Sequence, residues 1–203
     1  RCLAIDELGN FIDGDQIMAA CGLDMKNKSM LSGNTVVATV MSNLGFHVYA
    51  RERDMKLECT DVGDRNVLER MVAKGYRLGG EQSGHMIFLE HATTGDGQLT
   101  ALQILALLKE SGKKASEIFG ACPRYPQVLI NIPVADNDVK KAAMASPLLA
   151  QAIQREEEAL GDEGRVLVRP SGTEALMRVM VEAKTQELAQ ETAQRLADLI
   201  PAL

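Results

Sequence analysis

The sequence is poor in aromatic residues and contains no tryptophan. Because only 3% of its residues are aromatic, the core must be built from Leu, Ile, Val, Met and Ala. It also lacks a long apolar run. The most apolar stretch, Leu99–Leu108, contains Thr100 and Gln103 and is shorter than the ~20 residues of a membrane-spanning helix. No signal peptide pattern is present, and we expect no membrane partner.

An excess of positive charge is also absent. The chain has 22 Lys and Arg against 28 Asp and Glu, which gives a net charge of -6. This balance argues against a nucleic-acid partner. It leaves room for a small anionic ligand, which needs only a local group of arginines.

Cysteine is sparse and unpatterned. The four cysteines form no C-x-x-C pair and have no histidine at metal-ligand spacing; they are Cys2, Cys21, Cys59 and Cys122. Such cysteines are typical of reduced thiols in a cytoplasmic protein, so we expect neither a disulfide framework nor a zinc site.

The 203 residues are enough for one large domain or two small ones, and 46% of them are hydrophobic. Strand and helix patterns alternate over the first part of the chain, which predicts an α/β layered domain with a mixed sheet over residues 1–120. Two prolines in Ala121–Pro126 mark a boundary. Residues 121–203 are predicted to form a smaller α+β domain.

The predicted elements of the first domain follow from turn residues, caps and periodicity. They are a hairpin from Cys2–Ile5 and Asn10–Ile12, a helix over Gly14–Ala20, a strand at Ser29–Ser32, a helix over Thr35–Leu44 ended by Gly45, a strand at Phe46–Ala50, a loop over Arg51–Thr60, a helix over Asp61–Ala73, strands at Arg77–Gly80 and His85–Leu89, and a helix over Gly97–Glu110 capped by Asp96.

The second domain is predicted in the same way. Its elements are a strand at Gln127–Val134, helical segments at Asp138–Ala145 and Leu148–Leu160, strands at Arg165–Val168 and Leu176–Ala183, and a final amphipathic helix with a stripe of Leu188, Ala189, Thr192, Leu196 and Leu199.

The first candidate site is the segment GGEQSGHMIF, Gly79–Phe88. If it is extended, its period-2 spacing points Glu81, Ser83 and His85 in one direction. An acceptor for sugar hydroxyls, a small donor and a group that titrates near neutrality would then share one patch. The alternative is a glycine-rich connection whose polar side chains face water.

The second candidate is Val168–Glu174 together with Arg178. Arg169 offers a planar fork that matches phosphate oxygens, and Gly172 permits close approach of the backbone. Ser171 and Thr173 add hydroxyl donors, and successive backbone N–H groups can form an anion nest. The alternative is a tight hairpin turn, because Pro-Ser-Gly is common turn chemistry.

A third candidate is Asp61–Arg65, where Asp61 is predicted to be a helix N-cap and Asp64 and Arg65 fall in the first turn. Simple helix capping is the favoured interpretation. His47, in a strand pattern, and His91, in a loop, are interpreted as structural.

Taken together and in order, these stretches resemble the α-D-phosphohexomutase superfamily, and within it the bacterial phosphoglucosamine mutases. The motifs are Gly80-Glu-Gln-Ser-Gly-His85, Thr94-Gly-Asp-Gly97, Arg169-Pro-Ser-Gly-Thr-Glu174, Asp61-Val-Gly-Asp-Arg65 and Thr39-Val-Met-Ser-Asn43.

The resemblance implies a role for each site residue. Glu81 and Ser83 would hold sugar hydroxyls, and His85 would lie near the reacting phosphoryl group as the catalytic residue. Asp64 and Arg65 would line the sugar pocket. A phosphate clamp would complete the set, formed by Arg169, Ser171, Gly172 and Thr173 with the assistance of Arg178.

The resemblance also implies that this chain is the third and fourth domains of a four-domain enzyme. Arg1 would end a magnesium loop of the form Asp-Gly-Asp-x-Asp-Arg, so the Mg²⁺ ligands would lie upstream of Arg1, with none in this chain. The phosphorylated serine would lie further upstream. We therefore expect the isolated chain to be inactive and to depend on the missing N-terminal domains, within a parent that is a possible homodimer.

The implied reaction interconverts glucosamine 6-phosphate and glucosamine 1-phosphate, a step toward peptidoglycan precursors, through a glucose- or glucosamine-type bisphosphate that acts as intermediate or activator. Two alternatives stay open. One is a phosphomannomutase or phosphoglucomutase of the same superfamily, and the other is a non-catalytic phosphosugar-binding module.

Overall fold

The computed structural model describes residues 1–200, which divide into two compact units, Arg1–Arg124 and the segment from Tyr125 onward. The division falls inside the predicted boundary segment Ala121–Pro126. The last three residues of the predicted C-terminal domain, 201–203, lie outside the described residues.

The first unit contains six strands and five α-helices. In chain order they are β1 Ala4–Ile5, β2 Phe11–Ile12, α1 Gly14–Asn27, β3 Thr35–Thr39, α2 Leu44–Glu52, β4 Lys56–Thr60, α3 Asp64–Lys74, β5 Leu78–Gly80, β6 Met86–Phe88, α4 Gly97–Ser111 and α5 Ala115–Phe119.

The central sheet of this unit has the order β4-β3-β5-β6. Strands β4 and β5 both pair in parallel with β3, whereas β6 is antiparallel to β5. The sheet is therefore mixed, as predicted. A separate two-stranded hairpin pairs β1 with β2, which confirms the predicted hairpin.

Helices cover both faces of the sheet because the strand side chains alternate. Val36 and Ala38 of β3 belong to the larger core cluster, which also includes side chains of α1, α2, α4 and α5. Val37, between them, packs with Val67 and Met71 of α3 in a second cluster. Three layers result, so the predicted α/β layered architecture is confirmed.

The predictions between residues 29 and 60 were largely wrong. Ser29–Ser32 forms no strand, and the segment leads into a 3₁₀ turn at Ser32–Asn34. Thr35–Thr39 begins the predicted helix but forms the fully buried strand β3. A strand covered on both faces shows no polar alternation, and its β-branched residues favour extended backbone.

The assignments of the following elements were also wrong. Phe46–Ala50, predicted as a strand, lies inside α2, whose first turn contains Gly45 rather than ending a preceding helix there. Asn43 caps α2 by accepting a hydrogen bond from the N–H of Gly45 at 2.9 Å. The predicted loop over Arg51–Thr60 contains the end of α2 and strand β4.

The second unit agrees closely with prediction. Its elements are β7 Gln127–Pro133, α6 Asn137–Ala145, α7 Pro147–Leu160, β8 Arg165–Pro170, β9 Leu176–Glu182 and α8 Gln186–Leu199. The three strands form an antiparallel sheet of order β7-β9-β8. Ala189, Thr192 and Leu196 of α8 are buried as predicted, whereas Leu188 of the predicted stripe is exposed. Ala189 and Leu196 join the core with strand residues such as Val179. This is the smaller α+β domain.

Candidate functional site

The segment that holds Glu81, Ser83 and His85 is a turn between β5 and β6. The N–H of Glu81 donates to the carbonyl of His85 at 2.9 Å, and the N–H of Gly84 donates to the carbonyl of Glu81 at 3.0 Å. The segment is therefore not extended, and the alternation argument for a shared direction was wrong. A tight turn brings the three side chains together, and two of them, Glu81 and His85, contact the start of α3.

The carboxylate of Glu81 lies at the N-terminus of α3. Its Oε1 accepts a hydrogen bond from the N–H of Gly63 at 3.1 Å, and its Oε2 lies 3.4 Å from Oγ of Ser83. Gly63, with φ of 127°, occupies the N-cap position, so the prediction that Asp61 caps this helix was wrong. The helix N-terminus favours negative charge and orients Glu81.

The imidazole of His85 lies beside the first residue of α3. Its Nε2 is 3.4 Å from Oδ2 of Asp64, and the side chain of His85 is 18% exposed. On another side the ring touches the backbone of Gly95: a Cβ there would lie 2.3 Å from the ring atoms Cε1 and Nε2. A glycine at this position therefore lets the loop before α4 support the imidazole.

Four of the five residues of the first and third candidates to which the resemblance assigns a role are thus brought together around the start of α3: Asp64, Glu81, Ser83 and His85. Arg65 is not among the contacts of this group. Its side chain is 87% exposed, and its Nε donates to Oε1 of Glu69 at 2.8 Å. We call the four residues the α3 cluster.

The α3 cluster lies next to the carboxyl end of β5, which pairs with β3. Because β4 and β5 lie on opposite sides of β3, the strand order reverses at β3, and such crevices commonly bind ligands. Sequence reasoning missed Asp15, which is 2% exposed and organises the loop after β3. Its carboxylate accepts from Oγ of Ser42 and from the N–H of Asn43, both at 2.7 Å.

A groove of about 530 Å³ lies along α3 and the end of β4, but it does not include the α3 cluster. Its lining consists of Val40, Cys59, Thr60, Asp61, Asn66, Glu69, Arg70 and Ala73. Arg70 is paired with Glu58. The chemistry of the α3 cluster, rather than the volume of this groove, identifies the candidate site.

In the second unit, two arginines face each other across the strands. Arg169 of β8 and Arg178 of β9 are direct cross-strand partners. Nη2 of Arg178 lies 2.7 Å from Oε2 of Glu174, whereas the guanidinium of Arg169 makes no ion pair or hydrogen bond within residues 1–200. Burial, and secondarily the charge of Arg178, lower the pKa of Arg169. Like charges at directly opposite positions repel each other, so an anion bound between the two guanidinium groups would stabilise this pair.

The loop that follows β8 presents exposed donors. Gly172 and Thr173 are exposed, and Ser171 is buried. Oγ of Ser171 accepts from the N–H of Glu174 at 3.2 Å, so its hydroxyl also shapes the loop. Sequence reasoning missed Lys140 of α6, whose Nζ donates to the carbonyl of Ser171 at 2.9 Å. Nothing in the sequence separates this buried lysine from its neighbour Lys141.

Within residues 1–200, no group of three or more His, Cys, Asp or Glu side chains is arranged to hold a metal ion. In the same part of the chain no helix is long and apolar enough to cross a membrane. None of the four cysteines forms a disulfide within residues 1–200. Burial raises the pKa of Cys21 to about 12 and raises that of Cys122 as well, which makes both thiols poor nucleophiles.

Comparison with protein families identifies both units. The phosphoglucomutase/phosphomannomutase α/β/α domain III matches residues 13–125, and the C-terminal domain of the same family matches residues 129–199. The chain belongs to the phosphoglucomutase/phosphomannomutase family. In the terms of this family, the α3 cluster lies in domain III and the arginine pair in the C-terminal domain.

Curated relatives within the family are phosphoglucosamine mutases. That of Thermoanaerobacter sp. (strain X514) is 52% identical over 200 residues, which cover 98% of this chain and 44% of the relative. That of Saccharopolyspora erythraea is 51% identical over 203 residues, or 100% of this chain and 45% of the relative. The chain therefore spans less than half the length of these relatives.

Solved structures share the fold at lower identity. One Aspergillus fumigatus N-acetylphosphoglucosamine mutase structure has a TM-score of 0.82 at 22% identity and covers 98% of this chain and 45% of its own. Another, in complex with GlcNAc-6P and magnesium, has a TM-score of 0.80 at 21% identity and covers 98% of this chain and 49% of its own.

Proposed function

We propose that this chain is the sugar- and phosphate-binding part of a phosphoglucosamine mutase, which interconverts glucosamine 6-phosphate and glucosamine 1-phosphate. The observation that carries the proposal is the opposed pair of Arg169 and Arg178. Within residues 1–200, the first has no protein acceptor and the second has only Glu174, on an exposed loop. A phosphate dianion satisfies both guanidinium groups and the neighbouring loop donors. The identity to phosphoglucosamine mutases supports the choice of sugar.

In this proposal, Arg169, Arg178 and the loop over residues 171–173 bind the phosphate that is not reacting. Arg169 binds through its planar fork, and the loop binds through the hydroxyl of Thr173, the backbone of Gly172 and the hydroxyl proton of Ser171. Planar bidentate recognition suits a phosphate that must be held while the other end of the sugar reacts.

The α3 cluster supplies the sugar contacts. Glu81 and Ser83 accept and donate hydrogen bonds to hydroxyl or amino groups of the sugar, with Asp64 beside them. His85, supported by Gly95 and close to Asp64, is the residue that we assign to proton transfer or charge stabilisation at the reacting phosphoryl group. Arg65 is exposed at the edge of this group and would have to turn from Glu69 to reach a ligand.

The remaining chemistry belongs to groups outside this chain. We propose a phosphoserine that donates to the sugar and is regenerated from a bisphosphate intermediate, and a Mg²⁺ ion held by upstream ligands. The described residues do not fit a Mg²⁺ site, because they contain no suitable cluster of ligands. No step of the reaction is therefore assigned to a metal held by this chain. We propose a cytoplasmic location from the sparse, unpatterned cysteines of the sequence.

Two assays test this function. The complete enzyme is expected to prefer glucosamine 6-phosphate over mannose 6-phosphate and glucose 6-phosphate; preference for either of the latter would instead indicate a phosphomannomutase or phosphoglucomutase. The purified 203-residue chain is expected to show no turnover, and to bind glucosamine 6-phosphate weakly, like a phosphosugar-binding module. Turnover by the chain alone would contradict the assignment of the serine to another part of the enzyme.

The Arg169→Ala variant of the chain tests the observation that carries the proposal. Loss of a charge-assisted contact is expected to weaken phosphate binding by ~1.5–3 kcal/mol, or roughly 10- to 150-fold. Arg155→Ala, on α7, is the matched control and is expected to leave binding unchanged. Equal phosphate affinity of the Arg169→Ala variant and the unmodified chain would remove Arg169 from the site.

A further inference from the structure

Lys140 is a charged residue in the interior of the second unit. It lies on α6 and is only 7% exposed. Its Nζ donates to the carbonyl oxygens of Ser171 and Glu174, two residues of the loop between β8 and β9 that the proposed phosphate site uses. The adjacent Lys141 is 80% exposed in its side chain and pairs with Asp138. Since a buried ammonium group needs such acceptors, the loop and Lys140 depend on each other.

These two contacts determine where the loop N–H groups point. In a trans peptide unit the N–H points opposite to the carbonyl, and residues 1–200 contain no cis peptide bond. The carbonyls of Ser171 and Glu174 point at Lys140, so the N–H groups of Gly172 and Ala175 point away from it.

The N–H groups of this loop are also able to donate hydrogen bonds to a ligand. Within residues 1–200, the N–H groups of Gly172, Thr173 and Ala175 donate to no protein acceptor. All three residues are exposed. Exposed backbone N–H groups without a protein acceptor, close together in one loop, can bind an anion.

We propose that Lys140 is the positioning residue of the phosphate loop. Its ammonium group holds the carbonyls of Ser171 and Glu174, so that the N–H groups of Gly172 and Ala175 face the bound phosphate. Lys140 itself does not touch the phosphate. This inference rests on the proposed function, because it assumes that the loop binds the phosphate of a phosphosugar.

The test uses inorganic phosphate as the probe and amide NMR spectra of the 203-residue chain as the readout. In the unmodified chain, phosphate is expected to shift the amide signals of Gly172 and Ala175. Lys140→Met is expected to weaken phosphate binding tenfold or more and to reduce both shifts. Lys140→Arg, which retains the charge and donors, is expected to recover part of the affinity. Lys141→Met, on the same helix, is the control and is expected to bind like the unmodified chain.

The affinity is measured on folded molecules, well below the unfolding temperature, so a residue that only stabilised the unit would not alter it. If the Lys140→Met variant lacks the dispersed signals of a folded second unit, the inference is tested by a measurement on the unmodified chain instead. Scalar couplings across the hydrogen bonds from Lys140 Nζ to the carbonyl carbons of Ser171 and Glu174 are expected there. Their absence would overturn the inference.

The outcomes separate this inference from the function on which it rests. Phosphate binding by the unmodified chain that is equally tight in a folded Lys140→Met variant would overturn the positioning role alone. No response of the unmodified chain to phosphate would overturn both the phosphate site and the positioning role.

Discussion

Gly95→Ala is expected to displace the imidazole of His85. The added Cβ would lie 2.3 Å from Cε1 and Nε2 and 2.7 Å from Cδ2, whereas ordinary van der Waals contact begins near 3.4 Å. Relief of the overlap therefore requires a shift of about 1.1 Å. The φ of Gly95 is not in the left-handed region, so the effect comes from lack of space alone.

The ring is expected to move, because the loop is anchored. Oδ1 of Asp96 accepts from the N–H groups of Gln98 and Leu99 at 2.8 and 3.0 Å and thereby caps α4. The overlap or its relief is expected to destabilise the first unit by about 1–3 kcal/mol. In the complete enzyme, a displacement of about 1 Å is expected to lower kcat/KM about 100-fold.

The assay compares ring and backbone signals of the 203-residue chain by NMR, with urea unfolding for stability. The ring signals of His85 are expected to shift strongly, with the first-turn amides of α4 unchanged. Thr93→Ala, an exposed residue of the same loop, is the control and is expected to alter neither signal. Two results would refute the reasoning. One is that the His85 ring signals do not change and the free energy of unfolding stays within about 0.5 kcal/mol of that of the unmodified chain. The other is that the α4 amide signals shift in place of the ring signals.

Three further predictions concern stability. Glu81→Gln removes a carboxylate from the N-terminus of α3 and is expected to cost about 0.3–1 kcal/mol in urea unfolding; Glu90→Gln, at an exposed ion pair, is the control and should cost less. The hydrogen bond from Arg195 lowers the pKa of Glu156 in the folded state. The ion pair between Glu156 and Arg195 therefore stabilises the second unit at pH values above the ordinary pKa of 4.5, and this stabilisation is lost as the pH falls through the lowered folded-state pKa. Glu156→Gln is therefore expected to cost about 1 kcal/mol at pH 7 and almost nothing in strong acid, and an equal cost at both would contradict the ion pair. Met71→Ala, at a fully buried position of α3, is expected to cost about 2–5 kcal/mol, and a cost below 1 kcal/mol would show that the cavity collapses.

The accuracy of the sequence predictions depended on how each segment is buried. In the second unit, β7, β8 and the helices have a more buried and a more exposed face, and the boundaries of the strands and helices were predicted within a few residues. The strand β3 has no exposed face, because Val36 and Val37 contact helices on opposite sides of the sheet. Its uniform apolar pattern carries no period, so strand and helix were exchanged there.

For the first candidate site, the sequence predicted that three side chains lie close together, but not the geometry that brings them there. Glu81, Ser83 and His85 were selected on the assumption of an extended chain, yet a turn brings them together. Their contacts with Gly63 and Asp64 connect residues far apart in the chain, and local patterns contain no information on such contacts. Lys140 was missed for a related reason, since its burial depends on where α6 packs rather than on its neighbours in sequence.

The close approach of Gly14 to the turn over residues 81–84 has a consequence for the order of folding. The N–H of Gly14 donates to the carbonyl of Gln82 at 2.9 Å, and a Cβ on Gly14 would lie 2.1 Å from the carbonyl oxygen of Glu81. The turn is therefore shaped against the first residue of α1, across a large separation in the chain, and closing so long a loop has an entropic cost. We expect the turn to become ordered only after α1 has docked, so substitutions in it should accelerate unfolding while leaving the refolding rate almost unchanged.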